Sequence, residues 1–229
     1  MKSRSHSSAF VFNFPARMFA EAQLTPMMAC RLGVTVLGAG ASSRMGRNKL
    51  LLPWRGTTVI GQIIAQWRQL GAAHIAVVLR ENDFALATEL EALDFPKANR
   101  ITNPQPERGM WSSVVCAAAW NGWPPDISHW AIVLGDQPHL KFETLRALLD
   151  FAGQNPGAVC QPEFGERERH PVVLPRNIFL ALKKSHATTL KHFLESSDCP
   201  RRLCAVADAG VEFDLDTPED FARLTAAEF

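Results

Sequence analysis

Val34–Lys49 reads VTVLGAGASSRMGRNK, a β-branched and apolar run that breaks into glycines, then serines, then three cations. A strand ending in such a turn presents bare backbone N–H groups at its C-terminal edge, where Gly38 and Gly40 let the chain approach an anion closely. Arg44, Arg47 and Lys49 set positive charge beside those amides. A polyphosphate is the ligand this chemistry suits best. The competing reading is a surface turn, with glycine for tightness and Arg and Lys for solubility.

Two phosphate-binding loops fit the stretch badly. The dinucleotide fingerprint needs a third glycine three residues after the second, followed at once by an apolar helix; Ser43 stands at that place and the loop runs on into LLLPW. The mononucleotide P-loop needs Gly-Lys-Ser/Thr opening a helix, and Gly46 is followed by Arg47, Asn48 and Lys49.

Outward from the loop, Thr57–Leu70 carries Val59, Ile60, Ile63, Ile64 and Trp67 at helical spacing, with Gly71 as a stop. His74–Leu79 is a continuous apolar run of strand length, of the kind buried on both faces of a parallel sheet. The same pattern predicts helices over Phe84–Leu93, Gly109–Trp120 and Leu140–Phe151, and strands over Arg100–Asn103 and Trp130–Leu134. This alternation points to an α/β fold, a three-layer, doubly wound, mostly parallel sheet with helices on both faces. Beyond Gly153 the pattern loosens. Ala158–Gln161 and Pro171–Leu174 read as a strand pair joined by GERERH, Asn177–Leu182 and Thr188–Leu194 as short helices, and Leu203–Val206 and Val211–Leu215 as strands before a terminal helix. The second half is expected to fold over the first as the acceptor side of a cleft.

In an open parallel sheet, ligands collect at the carboxyl ends of the strands, near the point where strand order reverses. Asp136, in GDQP just past the strand WAIVL, is expected to project over that edge beside the glycine loop. A carboxylate aimed at a triphosphate acts mainly through a divalent cation, and Mg²⁺ takes one or two carboxylates plus phosphate oxygens and water. A turn stopped by Pro138 is the plainer alternative. In DLDTPED, Thr217 as N-cap, Pro218 at the first helical position, and Glu219 and Asp220 in the first turn make a helix start. Asp214 and Asp216 lie upstream, two residues apart, and share one face of an extended chain. Capping does not account for both.

The stretch Leu37–Pro53, LGAGASSRMGRNKLLLP, resembles the signature of the MobA-like nucleotidyltransferases, and within them the molybdenum cofactor cytidylyltransferases. It departs from the pattern Leu-Ala-Ala-Gly-x-Ser-x-Arg-Met-Gly-x-x-Lys chiefly at Gly38. The resemblance returns in order at Gly135–Pro138, at His170–Val172 and at Asp214–Asp220. It implies a nucleotide-diphospho-sugar transferase-like, Rossmann-type fold. It also implies Mg²⁺-dependent transfer, with Mn²⁺ as a substitute, of a nucleoside monophosphate from CTP or another triphosphate onto a phosphate-bearing acceptor, with release of pyrophosphate. A pterin cofactor is the first such acceptor, and a molybdoenzyme the implied partner.

By the same resemblance, Lys49, Arg44 and Asp136 carry catalysis, and Asp216, with Asp214 as a further candidate, joins Asp136 at the metal. Leu37, Gly38, Ala39, Gly40, Ser42, Asn103, Ser112 and Ser113 hold the nucleotide with Arg44 and Lys49, while His170 serves the acceptor. Ala39 before Gly40 favours CTP over GTP, because the guanylyltransferase branch reads Leu-Ala-Gly-Gly. Three further departures from the family pattern follow. Trp111 stands for the first serine of Gly-x-Ser-x-Ser, Arg169 stands for the glycine before His170, and KSHATTL (184–190) stands where Gly-Asp-x-Gly-Ala-Arg is expected. For Ser112 and Ser113, helix capping competes with ligand binding. A sugar- or alcohol-phosphate nucleotidyltransferase is the alternative enzyme; a non-catalytic nucleotide-binding accessory for molybdoenzyme maturation is the alternative of another class.

At 229 residues, 47% hydrophobic and 21% charged, the chain has globular composition and ample length to bury a core. Residues 33–229 are expected to form one domain. A formal charge of +1 gives no support to an extended nucleic-acid surface, and no apolar run approaches the roughly 18 residues a membrane span requires. Five cysteines, odd in number and without a Cys-x-x-Cys, favour a reduced, cytoplasmic protein without a disulfide framework. Residues 1–32 carry no downstream motif. Asn13, Pro15 and Arg17 interrupt their apolar patch, which argues against a cleaved signal. An extension, or a start-site artefact with the natural start at Met27 or Met28, is the expectation.

Overall fold

The computed structural model describes residues 30–42 and 44–226. The expectation for the N-terminal extension therefore falls almost wholly outside the described residues. Strand β1 (Leu32–Leu37) leads through a loop and a 3₁₀ turn (Lys49–Leu51) to a small antiparallel hairpin of β2 (Pro53–Trp54) and β3 (Thr57–Thr58). There follow α1 (Val59–Gln69), β4 (His74–Arg80), α2 (Phe84–Ala92), β5 (Arg100–Asn103), α3 (Met110–Ala119), β6 (His129–Leu134) and α4 (Phe142–Gln154). The second half holds β7 (Val159–Phe164), β8 (Arg167–Glu168), β9 (Val172–Pro175), α5 (Arg176–Leu182), α6 (Leu190–Ser196), β10 (Arg201–Ala205) and α7 (Pro218–Ala226).

The described residues form one eight-stranded sheet in the order β10-β7-β9-β6-β1-β4-β5, with β8 paired to β7. β1 is parallel to both β4 and β6, β4 to β5, and β10 to β7, whereas β9 runs antiparallel to its two neighbours. From β1 the chain builds outward to β4 and β5, then returns to place β6 on β1's other side. Strand order thus reverses between β1 and β6, and the crevice at their carboxyl ends is where such sheets bind ligands.

Alternate side chains of the central strands feed two cores. Val34, Val36, Val77 and Val133 pack with α1, α2, α4 and α7, while Ala76, Val78, Ile132 and Val172 pack with α3, α5 and α6. The three-layer, mostly parallel arrangement expected from the sequence is the one observed. Gly38 and Gly135 are needed at its centre. A Cβ on Gly38 would come 2.9 Å from the Val78 carbonyl oxygen, and one on Gly135 would come 2.7 Å from that of Leu37.

Two expectations for the second half are corrected. Its strands do not fold over the first half but extend the same sheet beyond β6. Val211–Leu215 is not a strand: Ala209–Glu212 is a 3₁₀ turn, capped by Asp208, whose carboxylate accepts from Gly210 N at 2.9 Å. The following residues are tied to the end of β6 by a single backbone bond, Leu215 N to Asp136 O at 3.0 Å. The alternation Val-Glu-Phe-Asp-Leu reads as a strand, but here the local cap competes successfully with sheet pairing.

Candidate active site

The loop after β1, the turn after β6 and the N-terminus of α3 enclose a cavity of about 260 Å³. Leu37, Gly38, Ala39, Gly40 and Ser42 line it on one side, Gly135 and Asp136 on another, and Gly109, Met110 and Ser113 on the third. The close approach of Val78 by itself requires glycine at position 38, which also lines the cavity. Gly40 has open space around its Cα and is the glycine that leaves room for an incoming group. Ser42 holds the loop in a left-handed turn (φ 49°), and its hydroxyl accepts from Lys49 N at 3.3 Å. Arg80, at the end of β4, grips the outside of the loop by donating to the carbonyls of Ala39 and Gly40.

Lys49 opens the 3₁₀ turn that Asn48 caps through Leu50 N. Its ammonium lies 2.5 Å from Asp136 Oδ2 and 3.1 Å from Asp216 Oδ1. With side-chain exposures of 14% and 17%, Lys49 and Asp136 form a largely shielded pair, for which loss of one partner costs far more than at a surface bridge. Burial works against the Lys49 charge, but the carboxylates of Asp136 and Asp216 outweigh it and hold the amine above its ordinary pKa. Arg44 Nη2 reaches Asp216 Oδ2 at 2.7 Å from a mostly exposed position. Arg47 stands apart, in the wall of a neighbouring crevice with Arg80 and Asp83.

Asp214 points elsewhere: its Oδ1 accepts from Gln137 Nε2 at 3.0 Å. Crowding by the surrounding protein, then the charges of Asp136 and Asp216, push its carboxyl up to about 6 despite an exposed surface. Among the described residues no three His, Cys, Asp or Glu side chains are arranged to hold an ion. Two carboxylates suffice for Mg²⁺ or Mn²⁺ when phosphate oxygens and water complete the shell. Asp136 Oδ1 is buried without a hydrogen-bond partner in the protein. A divalent cation satisfies such an oxygen, so the donor set fits the metal.

Asn103 is buried and fully used. It donates to Ser112 Oγ at 2.8 Å and Ser113 Oγ at 3.0 Å and accepts from Gln105 N at 2.9 Å. Neither serine caps α3, whose N-cap is Gly109. Ser113 lines the cavity beside Asp136, whereas Asn103 and Ser112 line another crevice. His170 is half-buried beside β6, hydrogen-bonded to the Ile132 backbone. Burial lowers its pKa and keeps the ring neutral, and its Nδ1 has no partner in the protein.

Three positioning residues escaped sequence reasoning. Gln137 binds the Asp214 carboxylate; His139 Nε2 meets Gly210 O at 2.9 Å; Asp208 accepts from Thr144 Oγ1 at 2.8 Å and Lys141 N at 3.3 Å. Together they fasten residues 208–216 to the segment after β6, and so bring Asp216 to Lys49. For Gln137 the signal was its place next to Asp136 in GDQP. Nothing in spacing marked His139 or Asp208.

The family model of the MobA-like NTP transferase domain matches residues 34–202, most of the chain and all of the loop and GDQP. The chain belongs to the MobA-like NTP transferase family. It is 26% identical over 196 residues to the molybdenum cofactor cytidylyltransferase of Escherichia coli, covering 84% of this chain and 94% of that protein. It is also 28% identical over 210 residues to the nicotine blue oxidoreductase of Paenarthrobacter nicotinovorans, covering 86% and 97%. Among solved structures, Rv0371c of Mycobacterium tuberculosis matches with a TM-score of 0.70 at 29% identity, covering 86% of this chain and 99% of that one. As a MobA-like nucleotidyltransferase, the chain has the fold anticipated from its sequence. All five of its cysteines are free thiols, and among the described residues no helix is long and apolar enough to cross a membrane.

Proposed function

We propose that the protein transfers CMP from CTP to a phosphate-bearing acceptor of the molybdenum cofactor class, in a reaction that depends on Mg²⁺. One observation carries the reading: the Lys49 ammonium, held between Asp136 and Asp216, stands at the edge of the cavity that the glycine loop opens. In this reading, the triphosphate lies along residues 37–42. Its oxygens draw Lys49 and Arg44 away from the carboxylates that hold them in the free protein. Asp136 and Asp216 would then hold the divalent cation, which supplies charge neutralisation at the phosphates. Rv0371c, 28% identical to this chain, has been solved as a complex with manganese, which supports a divalent metal as part of the reading.

The acceptor phosphate attacks the α-phosphorus in line and pyrophosphate leaves. An ionised phosphate needs no general base, so positioning and charge stabilisation suffice. His170 keeps the acceptor role the resemblance implies, with its buried Nδ1 free to bond an acceptor only once the acceptor uncovers it. CTP is preferred over GTP on the strength of Ala39 and the cytidylyltransferase relative. The test is pyrophosphate release from CTP with Mg²⁺ and purified molybdopterin, run beside a series of sugar and alcohol phosphates. Release with molybdopterin alone supports the reading; release only with another phosphate moves the acceptor; CTP binding without release from any acceptor points to an accessory role.

A further inference from the structure

Arg169, which stands where the family pattern has glycine, is built into the fold at both ends. Its backbone N–H donates to Pro162 O on β7 at 2.8 Å, and its carbonyl accepts from the buried Gln161 Nε2 at 3.3 Å. From that anchor the guanidinium crosses to the 3₁₀ turn Ala209–Glu212 and donates to Glu212 Oε1. Side-chain exposures of 19% for Arg169 and 36% for Glu212 make this pair better shielded than Arg44, 69% exposed, on Asp216. A glycine at position 169 has no side chain to form such a tie.

Glu212 stands four residues before Asp216. The hydrogen bonds of segment 208–216 to Thr144, Lys141, His139, Gln137 and Asp136 all run to the stretch that follows β6. Arg169 holds the same segment from another part of the sheet, where β7 meets the turn into β9. That second hold matters once nucleotide is present. In the free protein, Lys49 and Arg44 also grip Asp216, and in the reading above a triphosphate draws both cations away. Neither Arg169 nor Glu212 lines the nucleotide cavity, so binding there leaves their pair in place.

We propose that Arg169 is a positioning residue of this chain: through Glu212 it latches segment 208–216 to β7, so that Asp216 keeps its place beside Asp136 when nucleotide removes Lys49 and Arg44. The inference rests on the nucleotidyltransferase reading for the displacement of those cations. An ion pair of this exposure adds little to global stability. Its leverage is local, because partners that orient a metal-binding carboxylate govern metal affinity far more than they govern folding.

The test measures Mn²⁺ affinity of the full chain saturated with α,β-methylene-CTP, from the paramagnetic resonance signal of free Mn²⁺, and amide exchange at Leu215, whose N–H bonds Asp136 O. Arg169→Gln and Glu212→Gln should each weaken Mn²⁺ binding about fivefold or more and speed Leu215 exchange, with Tm within about 4 °C of the wild type. Reversing the pair, Arg169→Glu with Glu212→Arg, should recover most of the affinity. Arg201→Gln is the control: Arg201 pairs with Glu168 nearby, at similar exposure, without reaching segment 208–216, and its loss should leave Mn²⁺ affinity unchanged. The proposal is overturned if Arg169→Gln binds Mn²⁺ within about twofold of the wild type, if Arg201→Gln weakens it as much, or if the reversed pair recovers nothing. A wild type that binds no Mn²⁺ with the analogue overturns both the latch and the metal site. The expected Mn²⁺ pattern without pyrophosphate release from CTP with any acceptor supports the latch and overturns nucleotidyl transfer alone.

Discussion

Lys49 Nζ lies 2.5 Å from Asp136 Oδ2, joining residues 87 positions apart in the chain. The amine is also the counter-charge of Asp216, so one lysine neutralises two carboxylates that a bound cation would otherwise neutralise. Lys49→Met should leave Asp136 uncompensated in a shielded place, while Asp216 keeps Arg44, and lower stability by about 3 kcal/mol. Added Mg²⁺ or Mn²⁺ should restore part of that loss by binding the native state. Thermal unfolding with and without the ions checks this; no recovery would mean that the acids do not hold metal.

Nucleotide preference is accessible by the same measurement. A ligand stabilises the native state by RT ln(1 + [L]/Kd), so at equal concentration the tighter triphosphate gives the larger shift. CTP with Mg²⁺ is expected to raise Tm more than GTP with Mg²⁺ at equal concentration. An equal or larger shift with GTP would reverse the base assignment and leave the fold untouched.

The helix start at α7 separates structure from chemistry in one motif. Thr217 and Asp220 cap each other: Asp220 N donates to Thr217 Oγ1 at 3.1 Å, and Thr217 N donates to Asp220 Oδ2 at 3.0 Å. Asp220→Ala should cost about 1 kcal/mol of stability. Glu219 is exposed and forms none of these bonds, so Glu219→Gln should change stability by about 0.5 kcal/mol or less. Urea unfolding of the two variants gives the comparison.

Most of the first half was legible because its signals are local. Apolar runs such as His74–Leu79 and the helical spacing in Thr57–Leu70 are satisfied by the sheet and helices they predict. The site was legible wherever chemistry follows a strand end, as at Lys49 and Asp136. What escaped depends on long-range pairing. Val211–Leu215 alternates as a strand would, but Asp208, pinned to Thr144 across the chain, caps a turn at its start. Gly38 has a second reason to be glycine that the sequence did not reveal, the Val78 carbonyl of the adjacent strand. His139 carried no motif, because its role is to hold Gly210 O, a backbone atom that no spacing reveals.

Asp214 gives a pH dependence with a definite sign. Its folded pKa, about 6, is raised above the ordinary carboxylate value, first by the crowding of surrounding protein that displaces water and then by Asp136 and Asp216. A raised acid favours the folded state while protonated, and that contribution fades as pH rises through about 6. Asp214→Asn removes the charge, so the variant should gain Tm over the wild type at about pH 8 and lose most of that gain near about pH 4.5. Equal Tm differences at both pH values would show that Asp214 does not titrate as placed here.

The central claim is that Asp136, with Lys49 and Asp216, forms the reacting centre of a nucleotidyl transfer. It is tested most directly by single-turnover pyrophosphate release from CTP and Mg²⁺ with a competent acceptor, comparing the wild type with Asp136→Asn at matched folded fraction. The expected result is a loss on the order of a hundredfold or more, the worth of a coordinating charge at the transition state. Release by Asp136→Asn within about twofold of the wild-type rate would contradict the account, since so small a change leaves no transition-state role for that carboxylate.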